Sequence, residues 1–212
     1  MTSRKNLIIQ ESINLFNEKG CINTSTRHIA SKLGISVGNL YYYFKNKEEI
    51  IIAIYEEFMS LISKQLTSVK DGQDLAFDYY DFLQQQMTYE LKYRFFRLEL
   101  NNIYQNYPKV KEAFEQSHIQ KKQQIKYVYT HQIKYGYMKS LDEDELDFLV
   151  SNTWIIVTQW EIYWLIDKLD DEKQRRRNGI LNILYFIKPY MTIKGLEDTN
   201  LLTSINYLNK KA

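Results

Sequence analysis

The sequence predicts an all-α protein, and three observations carry that expectation. Seven glycines and two prolines among 212 residues leave little turn chemistry for a sheet protein, which needs many tight turns. Apolar residues recur at helical spacing along most of the chain. No convincing run of alternating apolar and polar residues interrupts them. A composition of 44% hydrophobic and 25% charged residues is that of a globular chain rather than a disordered one. One cysteine excludes an intramolecular disulfide and so a disulfide-stapled scaffold.

The first helix is expected over about Ser3 to Lys19, where Ile8, Ile9, Ser12, Ile13 and Phe16 share one face. Gly20 then stands at the position of a C-terminal cap. Thr24 is placed as the N-cap of a short helix from Ser25 to Leu33, with Ile29, Ala30 and Leu33 on one side. Gly34 interrupts, Ser36 opens a second short helix over Val37 to Tyr43, and a long helix starts at Lys47 and runs to about Val69. Asp71-Gly72 is a turn signal. Helix resumes over about Gln73 to Tyr107, with one break near Tyr93. Pro108 suits the first turn of the next helix, which Gly136 stops. Ser140 or Asp142 caps a helix to about Lys168, and its acidic first turn complements the dipole. A last strong helix lies between about Glu172 and Ile187, and Pro189 ends or bends it. The tail from Thr192 is weakly amphipathic, either a short helix or frayed. The resulting partition is a helix-turn-helix domain over 1–46, a connecting helix over 47–70 and a helical remainder over 71–212.

Several function classes drop out. The apolar run Leu7-Ile8-Ile9 is too short for a signal peptide, which needs roughly 7–15 apolar residues. The uncharged stretch Phe148 to Trp160 spans thirteen positions, against about 20 for a membrane-spanning helix. A cytoplasmic protein without a membrane partner is expected. No Ser/His/Asp constellation, metal-ligand spacing or Gly-rich phosphate loop is present, so neither enzyme activity nor a metal or cofactor is expected. His118 and His131 have no ligand spacing with His28. Cys21, at a helix end without a flanking pair of basic residues, reads as passive and half-buried rather than as a redox sensor.

Thr24 to Phe44 has the spacing of a helix-turn-helix. Ala30 allows a steep crossing, Gly34 a left-handed turn, and Leu40 an apolar contact back to the first helix. More residues agree: Leu15-Phe16 and Gly20, Thr26-Arg27-His28-Ile29-Ala30, Leu33-Gly34-Ile35-Ser36, Gly38-Asn39-Leu40-Tyr41-Tyr42-Tyr43-Phe44, and Lys47-Glu48-Glu49-Ile50. Over residues 8–50 the chain resembles the N-terminal DNA-binding domain of the TetR/AcrR family of bacterial transcription regulators. Beyond that, only length and helicity agree with the family.

The chemistry of these residues suits duplex DNA, because the second helix of such a unit lies in the major groove. Gly38 removes bulk where the helix meets the bases, Val37 can touch a thymine methyl, and Asn39 can bond to a base edge or a phosphate. Tyr41 and Tyr42 offer hydroxyls and ring faces, and Tyr43 is divided between core and DNA. Arg27, next to Thr26, can read a guanine edge. Lys47, in the first turn of the following helix, is expected on a phosphate. Residues 1–50 hold seven basic against four acidic residues, net +3, which leaves −1 for the rest of a chain whose total is +2.

The resemblance implies a ligand-responsive repressor that binds a pseudo-palindromic operator as a homodimer, paired through the helices at about 142–168 and 172–187. Trp154 to Ile166 is apolar on nearly all faces, which suits burial against both a core and a second subunit. It also implies an effector pocket among the middle helices, for a small, apolar or aromatic molecule. Tyr93, Phe96, Glu99, Tyr127, Trp154 and Thr158 are candidates, each of which either lines a pocket or fills a core. Glu99 and Glu161 can meet a cationic ligand, or Arg97 or Lys168. The run Arg175-Arg176-Arg177, following Asp170-Asp171-Glu172, reads as a solvated, self-compensating turn. The alternative function is a DNA-binding structural or cell-cycle protein with no small ligand.

Overall fold

A computed structural model describes residues 3–66 and 78–210. Among them every regular element is helical, and one isolated bridge joins Met138 and Met191. The Asp71-Gly72 turn and the start of the helix expected at Gln73 lie outside the described residues. The chain packs as two units: Met1–Ile62 with Tyr89–His118, and Ser63–Thr88 with Ile119–Ala212. Residues 89–118, which the linear partition assigned to the C-terminal remainder, thus belong with the N-terminal unit.

In the first unit, α1 (Arg4–Lys19) starts at Ser3, whose hydroxyl accepts from the Asn6 amide at 3.2 Å. The expected stripe is buried, and Leu15 joins it. Helix α2 (Thr26–Lys32) is capped by Ser25, not by Thr24. Ser25 and His28 form a reciprocal box: the Ser25 hydroxyl accepts from the His28 amide, and His28 Nδ1 accepts from the Ser25 amide. Thr24 instead turns inward and donates to the Gly20 carbonyl at 2.8 Å. Gly34 takes φ +64°, a left-handed conformation that a Cβ disfavours. Helix α3 (Val37–Tyr43) begins at Ser36 as expected, and α4 (Lys47–Leu66) follows, with Asn46 accepting from the Glu49 amide at 2.9 Å.

The helix expected through to Tyr107 breaks twice. After α5 (Tyr79–Lys92) the chain turns at Tyr93 and Arg94, forms α6 (Phe95–Leu98), turns at Glu99 and forms α7 (Leu100–Asn106). Asn17 holds the first break, donating to the Lys92 carbonyl at 2.8 Å and accepting from the Phe95 amide at 3.1 Å. An aromatic cluster fills this part of the unit. Tyr55, Phe58, Phe95 and Phe114 meet the Phe96 ring, and Phe95 reaches Phe16 at 5.1 Å. Such ring pairs add about 0.5–1.5 kcal/mol each beyond area burial. The Arg97–Glu90 ion pair is buried beside them.

The second unit is built on the part of α8 (Pro108–Lys134) beyond His118, on α9 (Glu143–Ile166) and on α10 (Glu172–Ile187). Of the two alternatives, Asp142 caps α9, in a box with Glu145. Helices α9 and α10 pack closely because position 179 is glycine. A Cβ there would sit 2.7 Å from the Trp160 ring. Ile180, Ile183, Leu184 and Ile187 form the buried stripe of α10. The tail is ordered into α11 (Ile193–Asp198) and α12 (Leu201–Asn209), and α12 buries Leu201, Ile205 and Leu208. Arg175 is buried and donates to the carbonyls of Leu169 and Asp170, both at 2.6 Å, so the arginine run is not simply a solvated turn. No helix among the described residues is long and apolar enough to cross a membrane.

Candidate nucleic-acid interface

Helix α3 turns one face inward and leaves the other uncovered. Leu40 and Phe44 are buried, together with Phe16 and Ile29. Gly38, Asn39, Tyr41 and Tyr42 are exposed, Tyr42 at 82%, and Val37 is half-buried at the start of the helix. The Tyr42 and Tyr43 rings stand edge to face at 5.1 Å. Arg27 is exposed on α2. Thr26 and Tyr41 hydroxyls lie 3.1 Å apart, which ties α2 to α3 and fixes the Tyr41 phenol. The face offers a small-residue gap, an amide, two phenols and a guanidinium, a set that can read base edges and hold phosphates.

Lys47 departs from expectation. Its ammonium donates to the Cys21 carbonyl, lies 3.5 Å from that of Ile22 and sits over the rings of Phe16 and Tyr107 at 5.7 and 5.6 Å. It therefore holds the loop between α1 and α2 instead of reaching outward to phosphate. Opposite it, Glu99 accepts from the amides of Cys21 at 2.6 Å and Ile22 at 2.9 Å. Gly20 makes room for this carboxylate: its φ is +86°, and a Cβ would come within 2.6 Å of Glu99 Oε1. Cys21 is fully buried between the two charges. Burial pushes its thiol up to about 12, against a smaller opposing pull from Lys47, so it stays a protonated core residue. The sequence gives no sign of the Glu99 contact, since a glutamate 77 residues from Ile22 carries no local signature.

Two further polar bridges link the helix-turn-helix and α4 to residues 89–118. Glu48 accepts from the Lys109 amide at 2.9 Å, at the start of α8. Glu57 accepts from Lys92 at 3.0 Å and the Tyr93 hydroxyl at 2.6 Å. Its carboxyl is lowered from the ordinary value by those donors, although burial pulls the other way.

Comparison with known proteins agrees with this geometry. Residues 8–54 match the model for bacterial regulatory proteins of the tetR family, and residues 55–199 match that for TetR bacterial transcriptional repressors. The chain belongs to the TetR family. A TetR-family regulator from Marinobacter aquaeolei VT8 superposes with a TM-score of 0.85 at 26% identity, covering 98% of this chain and 99% of that one. A transcriptional regulator from Saccharomonospora viridis, solved in complex with choline, shares the fold with a TM-score of 0.68 at 17% identity, covering 87% and 95%. The HTH-type transcriptional regulator YerO of Bacillus subtilis (strain 168) is 36% identical over 76 residues, which are 36% of this chain and 26% of YerO.

Within this TetR-family chain the six effector-site candidates fall into different surroundings. Tyr93 and Phe96 are buried in the aromatic cluster of the first unit, and both oxygens of Glu99 are taken by backbone amides. These three serve the interior and the α1–α2 loop. In the second unit, Tyr127 is 40% exposed, Trp154 lies under the Lys121 ammonium at 5.3 Å, and Thr158 donates to the Trp154 carbonyl at 2.9 Å. One further feature lies on the helix that the sequence marked as apolar on nearly all faces. Phe148, Ile155, Tyr163 and Ile166 of α9 are exposed at 70, 54, 59 and 77%, and their spacing puts them on one side of the helix.

Proposed function

We propose that this protein is a homodimeric, ligand-responsive repressor that acts in the cytoplasm on a pseudo-palindromic operator. The observation that carries the reading is the uncovered face of α3, with Val37, Gly38, Asn39, Tyr41 and Tyr42 presented while Leu40 and Phe44 are buried. Asn39 and Arg27 would read base edges, Val37 a thymine methyl, and Tyr42 a phosphate. Thr26 would position Tyr41. Two copies of α3 in successive major grooves stand about 34–36 Å apart. The apolar side of α9 supports a twofold pairing in which α9 and α10 meet their counterparts.

An effector acts only through its different affinity for two spacings of the α3 pair. The bridges from Asn17, Glu48, Glu57 and Glu99 give the helix-turn-helix a direct hold on residues 89–118. A ligand that shifts this segment would therefore move the DNA-reading unit. The choline complex of the Saccharomonospora viridis protein supports a small organic effector, and Tyr127, Trp154 and Thr158 are the residues for it here. The packed aromatic cluster around Phe96 favours a second reading, a DNA-binding protein with no small ligand. Selection of bound DNA from a random pool tests the first claim: a palindromic consensus is expected, and enrichment of none would overturn it. Titrating small molecules against the resulting complex separates the two readings.

A further inference from the structure

The first turns of α5 and α10 and the end of α12 enclose a cleft of about 540 Å³, within the range of small-molecule sites. The arginine run borders it. Lys173, Arg176 and Arg177 line it with Tyr80, Gln84 and Tyr207, and Asp171 is the acidic residue among its lining. Neither the Lys173 ammonium nor the half-buried Arg176 guanidinium has a hydrogen-bond or ion-pair partner among the described residues. Arg177 is partly committed: Nε donates to the Leu208 carbonyl at 2.7 Å and Nη1 to Asn178 at 2.9 Å. Asp171 is occupied as the N-cap of α10, accepting from the Lys173 amide at 2.9 Å. The Tyr80 hydroxyl accepts from Gln84 Nε2 at 2.8 Å, which leaves its own proton to donate. The Tyr80 and Tyr207 rings stand edge to face at 6.1 Å.

We propose that this cleft binds a phosphate monoester carried on a flat ring, at a site separate from the DNA-reading face. Three cations against one carboxylate leave a local charge of +2, which a dianionic phosphate neutralises and a carboxylate monoanion does not. Arg176 has its whole planar fork available, the geometry that grips a phosphate through two parallel hydrogen bonds. The amides of the first turn of α10 add positive potential on the same side. Tyr80 donates one more hydrogen bond. The Tyr207 ring, 45% exposed, gives the ring of the ligand an apolar surface, and the Gln84 and Gln174 amides can meet a heteroatom on its edge. A nucleoside monophosphate has all of these parts.

Calorimetric titration of the full chain tests this, with phenyl phosphate, adenosine 5′-monophosphate, inorganic phosphate and benzyl alcohol as probes. Phenyl phosphate should bind saturably and about tenfold more tightly than inorganic phosphate, and benzyl alcohol should give no saturable heat. Arg176→Ala should weaken phenyl phosphate at least ~tenfold, with partial recovery in Arg176→Lys. Lys173 is exposed, so Lys173→Ala keeps the fold and should weaken binding about threefold. No saturable heat with either ester up to about 10 mM would overturn the site. So would unchanged affinity in both alanine variants. Equal affinity for phenyl phosphate and inorganic phosphate would overturn the ring-bearing ligand. The DNA-binding reading does not depend on this cleft, and Arg176→Ala should leave operator affinity without ligand unchanged.

Discussion

Helices α3 and α9 both bury one face and leave the other bare, and the two bare faces are chemically opposite. On α3 the uncovered residues are a glycine, an asparagine and two tyrosines. On α9 they include Phe148, Ile155, Tyr163 and Ile166. A polar face rich in hydrogen-bonding groups loses little by staying in water and gains by meeting a wet, charged surface such as DNA. An apolar stripe loses about 25 cal/mol for each Å² left in water, so covering it is favourable. Exposure alone therefore does not define a binding face; what the exposed atoms would give up on desolvation decides which partner fits.

The comparison can be broken at either helix. The largest effect is expected on α9. Ile155→Glu should raise the dimer dissociation constant by at least ~100-fold, read by sedimentation, while a single helix-turn-helix unit keeps its fold. An unchanged dimer would mean that the apolar side of α9 has some other partner. Next, Glu99→Ala should lower the unfolding free energy by about 1–2 kcal/mol, because a part-buried amide and an exposed one lose a charged acceptor. Denaturant melts report it, and dimer affinity should not follow. On the DNA side, Arg27→Ala should cost about 1–3 kcal/mol at one base pair of the operator and little elsewhere, measured on a set of singly substituted sites.

Lys47→Ala tests the inward placement of that side chain. A loss of about 1–2 kcal/mol in stability with an unchanged salt slope of DNA binding is expected. A slope lowered by about one would restore the phosphate role. The smallest effect is chemical. Cys21 should resist a thiol reagent at pH 8 in the native state and react on unfolding. Because its folded value is raised to about 12 from 9.0, the thiol costs nothing below the unfolded value. The unfolded chain alone ionises as pH rises from 9 toward 12, so native stability falls across that window. Cys21→Ala should remove that part of the alkaline loss.

Much of the fold was legible because its signals are local. Ser36 before Val37, Asp142 three residues before Glu145, and the left-handed glycines at 34 and 136 each fix an element end through neighbours in sequence. Thr24 and Ser25 show where this stops. Both carry a capping hydroxyl, and only the inward closure of Thr24 onto the Gly20 carbonyl decides which one caps α2. The break near Tyr93 was expected, but neither it nor the second break at Glu99 has a proline or glycine to fix its place. They exist because Asn17 and the α1–α2 loop claim the backbone groups and the carboxylate there. Burial of Arg175 within the arginine run was hidden for the same reason, since its acceptors are carbonyls at the end of the preceding loop. On α3 the outward residues could be read by periodicity. The inward turn of Lys47 could not, because a long flexible side chain is placed by its partners.

The clamp on the α1–α2 loop has a consequence in time. The amides of Cys21 and Ile22 face an anion and their carbonyls face a cation. Rotating the peptide plane between Cys21 and Ile22 would turn its carbonyl toward the Glu99 carboxylate and its amide toward the Lys47 ammonium, so both ends of that dipole oppose the flip. Although it lies outside any helix, this stretch should exchange its amide hydrogens as slowly as the helices it joins, releasing them only when the first unit opens as a whole.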